Sequence, residues 1–527
     1  MKAVSIFNDV LGPVMRGPSS SHTAGPFHIG KLARSLLGEE PASVTFVFDP
    51  GGSFAEVYQE QGSAQGFAAG LMGWTMTDKR FPQALSFAAT QGLDIMFVVE
   101  RLPYADHPNT VEIRMISRGG QRLRAVAQSV GGGAIILIQI QDWPVHLTGE
   151  AYEVLVALDT EAEPGARELV TRDGQMIGQP KCQARGDEAL LHVQRRSPLD
   201  ITLQRELMAL PGVRHMWTAP PVFFVQRGQP LFANAAEMVA LAEQRNCSLG
   251  EIGVAYESAL LGLPERDILD EMIRRFEVMR AAVHRGLDEN LPPMQLLQSS
   301  ARHVMQAEVE GRVAIGGIHT RAAARAMAVM HVNGGAGVIC AAPTAGSAGV
   351  IPGVVVTLAE EKSLSQERAA LALLAASAVG LIVATRATFA AEVAGCQVEI
   401  GASGAMAAAA VVEAASGNAR HAADAAAIAF QNTMGSVCDP VQGIVEIPCH
   451  TRNAVAAASA FVCADLILGG YVNPIPLDET VDAVYAVGRM LPRELKCTAR
   501  GGLALAPSAR ALPRIGQVED ISLPDGS

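Results

Sequence analysis

Gly395-Cys396-Gln397-Val398-Glu399, Val437-Cys438-Asp439-Pro440-Val441 and Ile447-Pro448-Cys449 are three islands of one stretch, Gly395 to Asn453, around which the chain is organised. Each sets a cysteine in a short polar or Gly/Pro-bounded context. Between the first and second lies a long Ala-rich segment whose composition predicts buried helix. Cys438 and Cys449 are 11 positions apart, and Cys396 lies 42 upstream of Cys438, so folding has to bring it to them. Three thiolates converging in a largely apolar domain predict a metal or cluster site with one position left open.

A chain of 527 residues is too long for one ordinary core, and roughly two to four domains are expected. Hydrophobic residues make up 49% and aromatics only 5%, which predicts tightly packed helices with small side chains at their contacts. The net charge of −12 argues against a nucleic-acid partner. The opening residues Met1 to Asp9 lack the apolar core of a secretory signal, so a cytoplasmic location is expected. Ala369 to Thr385 is an uncharged run of 17 residues between Arg368 and Arg386, near the lower limit for a spanning helix. Its Ala, Ser and Gly content favours a buried core helix, and no membrane partner is expected. With eight cysteines and no secretory signal, free thiols or metal ligands are expected rather than disulfides. No C-x-x-C pair is present, which disfavours a structural zinc.

Taken in order, the chain first presents Gly17-Pro18-Ser19-Ser20-Ser21-His22-Thr23-Ala24-Gly25-Pro26, then an amphipathic segment from Phe27 to Leu37. Clustered hydroxyls before a helix satisfy its free N–H groups, and that terminus also attracts anions such as a carboxylate. The readings of an elaborate cap and of an anion site stand side by side. Strands are predicted at Ser43–Phe48, Asp94–Val99, Thr110–Ile116 and Ala134–Gln141, with a helix at Ser63–Leu71 and a glycine turn at Ser129–Gly133. That turn lacks the strand-turn-helix context of a dinucleotide fingerprint.

From about Ala151 the pattern changes to strand Tyr152–Leu158, helix Pro164–Arg172, strand Ala189–Gln194, helix Asp200–Ala209 and strand Val213–Thr218. This fits a small βαββαβ unit of the kind that binds amino acids as a regulator; a spacer is the other reading. After Pro230 the periodicity is helical, with amphipathic segments at Ala233–Gln244, Leu249–Leu261 and Asp267–Gly286. Loops rich in glycine and hydroxyls, Asn333–Gly337, Ala342–Gly349 and Arg500–Gly502, predict a polar pocket.

Together these motifs resemble those of the iron–sulfur L-serine dehydratases. Gly17–Pro26 and the turn Ser129–Gly133 resemble that family's β domain. Ala342-Pro343-Thr344, Gly395-Cys396-Gln397, Cys438-Asp439-Pro440-Val441, Ile447-Pro448-Cys449 with Arg452-Asn453, and Arg500-Gly501-Gly502-Leu503-Ala504 resemble its α domain. The matches come in family order and cover nearly the whole chain. The resemblance implies an α+β multidomain protein with an N-terminal α/β domain of the family's β type over residues 1–150. A small ACT-like ferredoxin-fold domain over 151–227, a large all-α catalytic domain over 228–510 and a tail over 511–527 complete it.

The resemblance further implies a [4Fe–4S] cluster held by Cys396, Cys438 and Cys449, with one iron open to act as a Lewis acid on the substrate hydroxyl. Ser19, Ser20, Ser21, His22 and Thr23 would cradle the substrate carboxylate and ammonium, with His22, Ser20 and Ser21 as the catalytic candidates. Thr344, Asn453 and Arg500 are expected to orient the substrate, Arg500 having a helix-terminus cation as its other reading. An amino-acid substrate, a homodimer and no pyridoxal phosphate are expected. Few lysines are present and none sits in a phosphate-cup context.

The chain departs from the family pattern in three places. Where relatives carry a histidine-containing segment after the Gly-Ser turn, Gln61-Gly62-Ser63-Ala64 stands, in register from Gly52-Ser53-Phe54. Another base is then needed, and His22 is the nearest candidate. No cysteine follows Cys497, so capping of the open iron by a tail thiolate is not expected. Ala345 follows Thr344 where relatives often have Asn. The expectation is an ammonia-lyase acting on L-serine. Elimination from another β-substituted amino acid or a hydroxy acid is the second reading, and a non-catalytic iron–sulfur sensor the third.

Overall fold

The structure, a computed structural model, describes residues 3–515. Met1, Lys2 and residues 516–527, with most of the expected tail, lie outside the described residues.

The N-terminal portion is built on a six-stranded sheet. Its strands run in the spatial order Asp94–Val99, Pro41–Phe48, Thr110–Ser117, Arg122–Gly131, Ala134–Ile140 and Trp143–Leu147. Only the first pair is parallel, in register Ser43↔Asp94 through Phe48↔Val99; the others are antiparallel. Arg122–Gly131 and Trp143–Leu147 were not expected from the sequence. The helices Gly25–Leu37 and Ser63–Leu71 lie close against one another. Gly70 allows this, since a Cβ there would fall 2.2 Å from the Phe27 carbonyl oxygen. Phe46, Phe48, Phe54 and Phe67 fill the core, the rings of Phe46 and Phe67 stacking at 4.1 Å. Each such burial contributes on the order of 2 kcal/mol.

The next unit runs strand Tyr152–Asp159, helix Glu163–Thr171, strands Met176–Arg185 and Glu188–Arg195, helix Ile201–Ala209 and strand Val213–Ala219. Numbered along the unit, its strands lie in the order 4-1-3-2, all antiparallel. One face packs on its own helices through Val154, Val156, Leu191 and Val193. The other contributes Leu155, Leu190 and Trp217 to the core of the six-stranded sheet.

The remainder is helical, with helices Ala235–Arg245, Leu249–Leu261 and Glu265–Gly286 close to their expected places. The Ala-rich segment between the first two cysteines forms two helices, Ile400–Ala414 and Ala419–Thr433. They break at Ser416 (φ 61°) and Gly417, and Asn418 caps the second by accepting from His421 N–H. Among the described residues, two helices are long and apolar enough to cross a membrane, Gln366–Arg386 and Cys449–Leu468. The first packs inside the protein, its apolar stretch 78% buried. The fold as a whole is α+β and multidomain.

Two features of the N-terminus join the sheet portion to the helical one. Residues Ile6–Val10 form a buried turn whose amides at Ile6 and Phe7 donate to the Glu257 carboxylate at 2.8 and 3.0 Å. Val14–Arg16 then pairs with Val338–Cys340 as a short antiparallel ladder. Chain continuity therefore delivers Ser19–Thr23 directly against the loop Ala342–Ser347.

Candidate metal centre and active-site cavity

The three expected cysteines are buried, and none of them is in a disulfide. Cys396 opens a short turn after Gly395 (φ 78°), where a Cβ would strike the Ser436 carbonyl at 2.7 Å. The Gln397 side chain fastens that turn, donating to Ala394 O and accepting from Gly435 N–H, each at 2.9 Å. Cys449 begins the helix Cys449–Leu468. One turn on, the Asn453 amide donates to Cys449 O and Gly346 O at 2.9 Å and accepts from Gly349 N–H at 3.0 Å. Asn453 thus ties the Pro-Thr loop to a thiol.

Arg452 is the cation of the centre. Its guanidinium donates to Val437 O at 2.8 Å, reaches Cys396 Sγ at 3.6 Å and pairs with Asp439 at 2.9 Å. The other Asp439 oxygen accepts from Leu503 N–H at 2.7 Å. Gly502 makes that approach possible, because a Cβ there would lie 2.2 Å from Asp439 Oδ2. So the motifs around Cys438, Arg452 and Arg500–Leu503 are partners in one hydrogen-bonded unit.

A fourth thiol belongs to this unit. Cys438 N–H donates to Leu495 O and Cys497 N–H donates to Cys438 O, both at 2.9 Å. The contact of Cys438 with Cys396 and Cys497, together with burial, raises its thiol well above the ordinary range. Burial first, then the neighbouring Cys396 and Glu399, does the same to Cys449. The absence of a later cysteine does not remove a fourth thiol from the site, since Cys497 itself stands in it. Ligand atoms of Cys396, Cys438 and Glu399 lie within 4.8 Å of one another. Buried, mutually crowded thiols beside an arginine are costly as protein alone, and a soft metal group among them would remove that cost. The donor set therefore fits such a group. Glu399, pushed up to about 7 by burial, accepts from Thr344 Oγ1 at 2.5 Å.

The Ser19–Thr23 segment folds as a tight turn continuous with the helix Gly25–Leu37; Ser19 closes the turn, and the other hydroxyls tie it to neighbouring segments. Ser19 Oγ accepts from His22 N–H at 3.2 Å. Ser20 Oγ accepts from Ala345 N–H at 3.4 Å, and Thr23 Oγ1 donates to Gln61 O at 2.7 Å. Ser21 and His22 do something different. Ser21 Oγ donates to Glu392 Oε1 at 2.8 Å, leaving its oxygen to accept from His22 Nδ1 at 3.1 Å. That assignment puts the neutral ring's lone pair on Nε2, which faces Ser53 Oγ at 2.9 Å. Burial is the main reason the His22 imidazole is held down at about 4.

Beside this chain of contacts lies a cavity of about 410 Å³ lined by Ser53, His107, Glu392, Arg493, Lys496 and Thr498 among others. None of Ser19–Thr23 and none of the thiols lines it. Ser21 and His22 stand one hydrogen bond behind its wall, through Glu392 and Ser53. Lys496 and Thr498, which line it, flank Cys497 in the chain. His107 accepts the Asn109 N–H at Nδ1 (3.1 Å), which places the neutral ring's proton on Nε2. Burial lowers this histidine as well. Burial works to raise Glu392, but His22 and the hydrogen bonds from Ser21 and Asn109 outweigh it and hold the carboxyl low. Arg500 pairs with Glu56, a lining residue, at 2.6 Å. Gln61 is a strut: its side-chain amide donates to Gly443 O at 2.6 Å.

Sequence reasoning missed Ser53, His107, Glu392 and Lys496. His107-Pro108-Asn109 sits in a loop before a strand, and nothing in its spacing separates it from an ordinary turn.

Comparison with known proteins agrees with the motif pattern. The family described as serine dehydratase alpha chain matches residues 178–504, more than half of the chain. A relative from Bacillus subtilis, "Probable L-serine dehydratase, alpha chain", is 37% identical over 284 residues, 54% of this chain and 95% of the relative. The "L-serine dehydratase, alpha chain" of Peptoniphilus asaccharolyticus is 32% identical over 281 residues, 53% and 96% of the two chains. A further Bacillus subtilis protein, "Probable L-serine dehydratase, beta chain", is 34% identical over 218 residues, 40% of this chain and 96% of its own. One chain here is similar to both kinds of relative, and it belongs to the serine dehydratase alpha chain family.

Proposed function

We propose that this chain removes water and then ammonia from L-serine, giving pyruvate. The observation that carries the reading is a cavity lined by the half-buried His107, with the buried His22 one hydrogen bond behind its wall through Ser53 and with Cys497 lying between its lining residues Lys496 and Thr498. A [4Fe–4S] cluster held by Cys396, Cys438 and Cys449 would supply an iron with an open position, a Lewis acid that helps hydroxide leave.

The chain's own residues account for the proton. Ser53 faces the cavity with its hydroxyl proton directed at His22 Nε2, so a proton taken from the substrate α-carbon passes to His22 through Ser53. The imidazolium that results is stabilised by Glu392 through Ser21. His107 has the complementary tautomer and presents an N–H donor, suited to the departing oxygen. Two imidazoles with opposite tautomers thereby divide base and acid between them. Lys496 and Arg493 give the substrate carboxylate its cations, and Asp106 and Glu392 face its ammonium. The aminoacrylate formed tautomerises to an imine, and the released water hydrolyses it to pyruvate and ammonia. Gln61 leaves no gap in this scheme, since His107 lines the cavity and His22 connects to it through Ser53.

The 4-1-3-2 strand order of residues 152–219 supports reading that unit as ACT-like, an amino-acid-binding module.

Anaerobically purified protein, loaded with iron and sulfide, should form pyruvate from L-serine. Loaded protein that forms no 2-oxo acid from serine, threonine or cysteine would overturn the reading.

A further inference from the structure

A second cavity, of about 480 Å³, lies where five separate parts of the chain meet. Its walls come from the N-terminal segment, the helix Gly25–Leu37, residues 74–77, the connection at residues 222–224 between the small unit and the helical part, and the helix Glu265–Gly286. The volume is within the usual range for a small-molecule site. It shares no lining residue with the cavity lined by Ser53, His107 and Lys496.

Its chemistry is one-sided. Lys31, Arg274 and Arg275 line it, and no aspartate or glutamate does, in a chain whose net charge is −12. The single carboxylate of Glu271 serves both arginines, accepting from Arg274 Nε and Arg275 Nε at 2.8 Å. Arg275 also donates to Phe7 O at 3.3 Å and sits over the Phe7 ring. Lys31 has no acidic partner among the described residues, so positive charge is in excess. Phe27, Trp74 and Phe223 also line it, with the buried His28 ring edge-on to Phe223 at 4.5 Å. His28 Nδ1 donates to Gly133 O at 2.8 Å, which leaves its Nε2 as an acceptor.

We propose that this cavity binds a carboxylate with an apolar body and no ammonium group, the pattern of a branched or aromatic 2-oxo acid. The cations take the carboxylate, the aromatic walls take the body, and the missing acidic residue rules against an α-ammonium, which would be left unpaired. The site is independent of the lyase reading. The bound acid would join the 222–224 connection to the helix that continues from the Ser/His turn.

The test is calorimetric titration of the full chain with 4-methyl-2-oxopentanoate, with L-leucine as the ammonium-bearing analogue. Hydrogen exchange at residues 222–224 and 25–37 would report the location. The expected result is saturable binding with protection in both segments, weakened about tenfold or more by a Lys31→Met, Arg274→Met pair and for L-leucine. Both substituted side chains are partly or fully exposed, so circular dichroism should confirm an unchanged fold. Absence of binding up to about 10 mM would overturn the proposal. So would binding that survives the double substitution, since it would belong to another site, or equal binding of L-leucine.

Discussion

Cys497 and Cys438 are held together by their backbones, the Cys497 N–H donating to the Cys438 carbonyl at 2.9 Å while the two side chains touch. Cys438 comes from the loop after the Ala-rich helices and Cys497 from the far end of the helical part. The pairing therefore closes the thiol centre and sets a fourth sulfur beside the three that the motifs identify.

The four thiols are expected to differ in consequence. Cys438→Ala removes the sulfur in contact with both Cys396 and Cys497, and iron and acid-labile sulfide should fall to background. Cys497→Ala leaves three thiols in place, and most of the iron should stay. Quantitation of iron and sulfide in anaerobically prepared variants checks both. Equal retention in both, or loss only from Cys497→Ala, would contradict the assignment.

Arg452 should matter for stability as well as for the thiols. Asp439 is 2% exposed and depends on Arg452 for its charge partner. Arg452→Met leaves that carboxylate buried and unpaired, at a cost of about 2–4 kcal/mol after allowing for the partial exposure of the arginine. Urea unfolding of the metal-free protein measures it. Arg452→Met together with Asp439→Leu should recover much of the loss.

The relay from cavity to Glu392 makes a kinetic prediction. His22→Ala and Ser53→Ala should each lower kcat by about 10²–10⁴ with a small effect on KM, and the double variant should be no worse than the worse single one. Glu392→Gln keeps the hydrogen bonds but not the charge and should give a smaller loss. Steady-state pyruvate formation checks all of these. Full activity in Ser53→Ala would exclude the relay.

A pH effect on stability follows from His28. Burial holds this imidazole down at about 4, against 6.5 in the unfolded chain. Between those values the unfolded chain binds the extra proton, so the stability supplied by neutral His28 is complete above pH 6.5 and is lost as the pH falls toward 4. At pH 5 the loss is about 2 kcal/mol. His28→Gln, neutral throughout, should be less stable at pH 7.5 but should lose about 2 kcal/mol less on acidification, as measured by urea unfolding at the two pH values.

How much of this was legible in the sequence depends on how local each signal is. Cys396, Cys438 and Cys449 carry Gly- and Pro-bounded surroundings that mark them as sites; all three are buried, and ligand atoms of Cys396 and Cys438 lie with that of Glu399 within 4.8 Å of one another. The helices Leu249–Leu261 and Glu265–Gly286 have strong periodicity and fall where periodicity puts them. The break in the Ala-rich segment was signalled by Ser416-Gly417-Asn418, a turn followed by a helix cap, but the Ala-rich runs on both sides read as one helix. The strand Met176–Arg185 is largely exposed, so it lacks the buried alternation that reveals a strand. Ser53, His107 and Glu392 become a site only through pairing across more than 280 positions, as Asn109 does with Glu392. No spacing rule reaches that far. The Ser19–Thr23 cluster was readable as a cap, and Ser19 does close the turn; that Ser21 and His22 serve Glu392 and Ser53 depends on the tertiary fold.

The central claim is that three thiols hold a cluster whose open iron receives L-serine. Mössbauer spectroscopy of anaerobically prepared, iron-57-loaded protein tests it most directly. With L-serine added, one iron site of the four should change its isomer shift and quadrupole splitting while the other three stay as they were. A protein that takes up no cluster, or a loaded one whose four sites are all unmoved by saturating L-serine, would contradict the account.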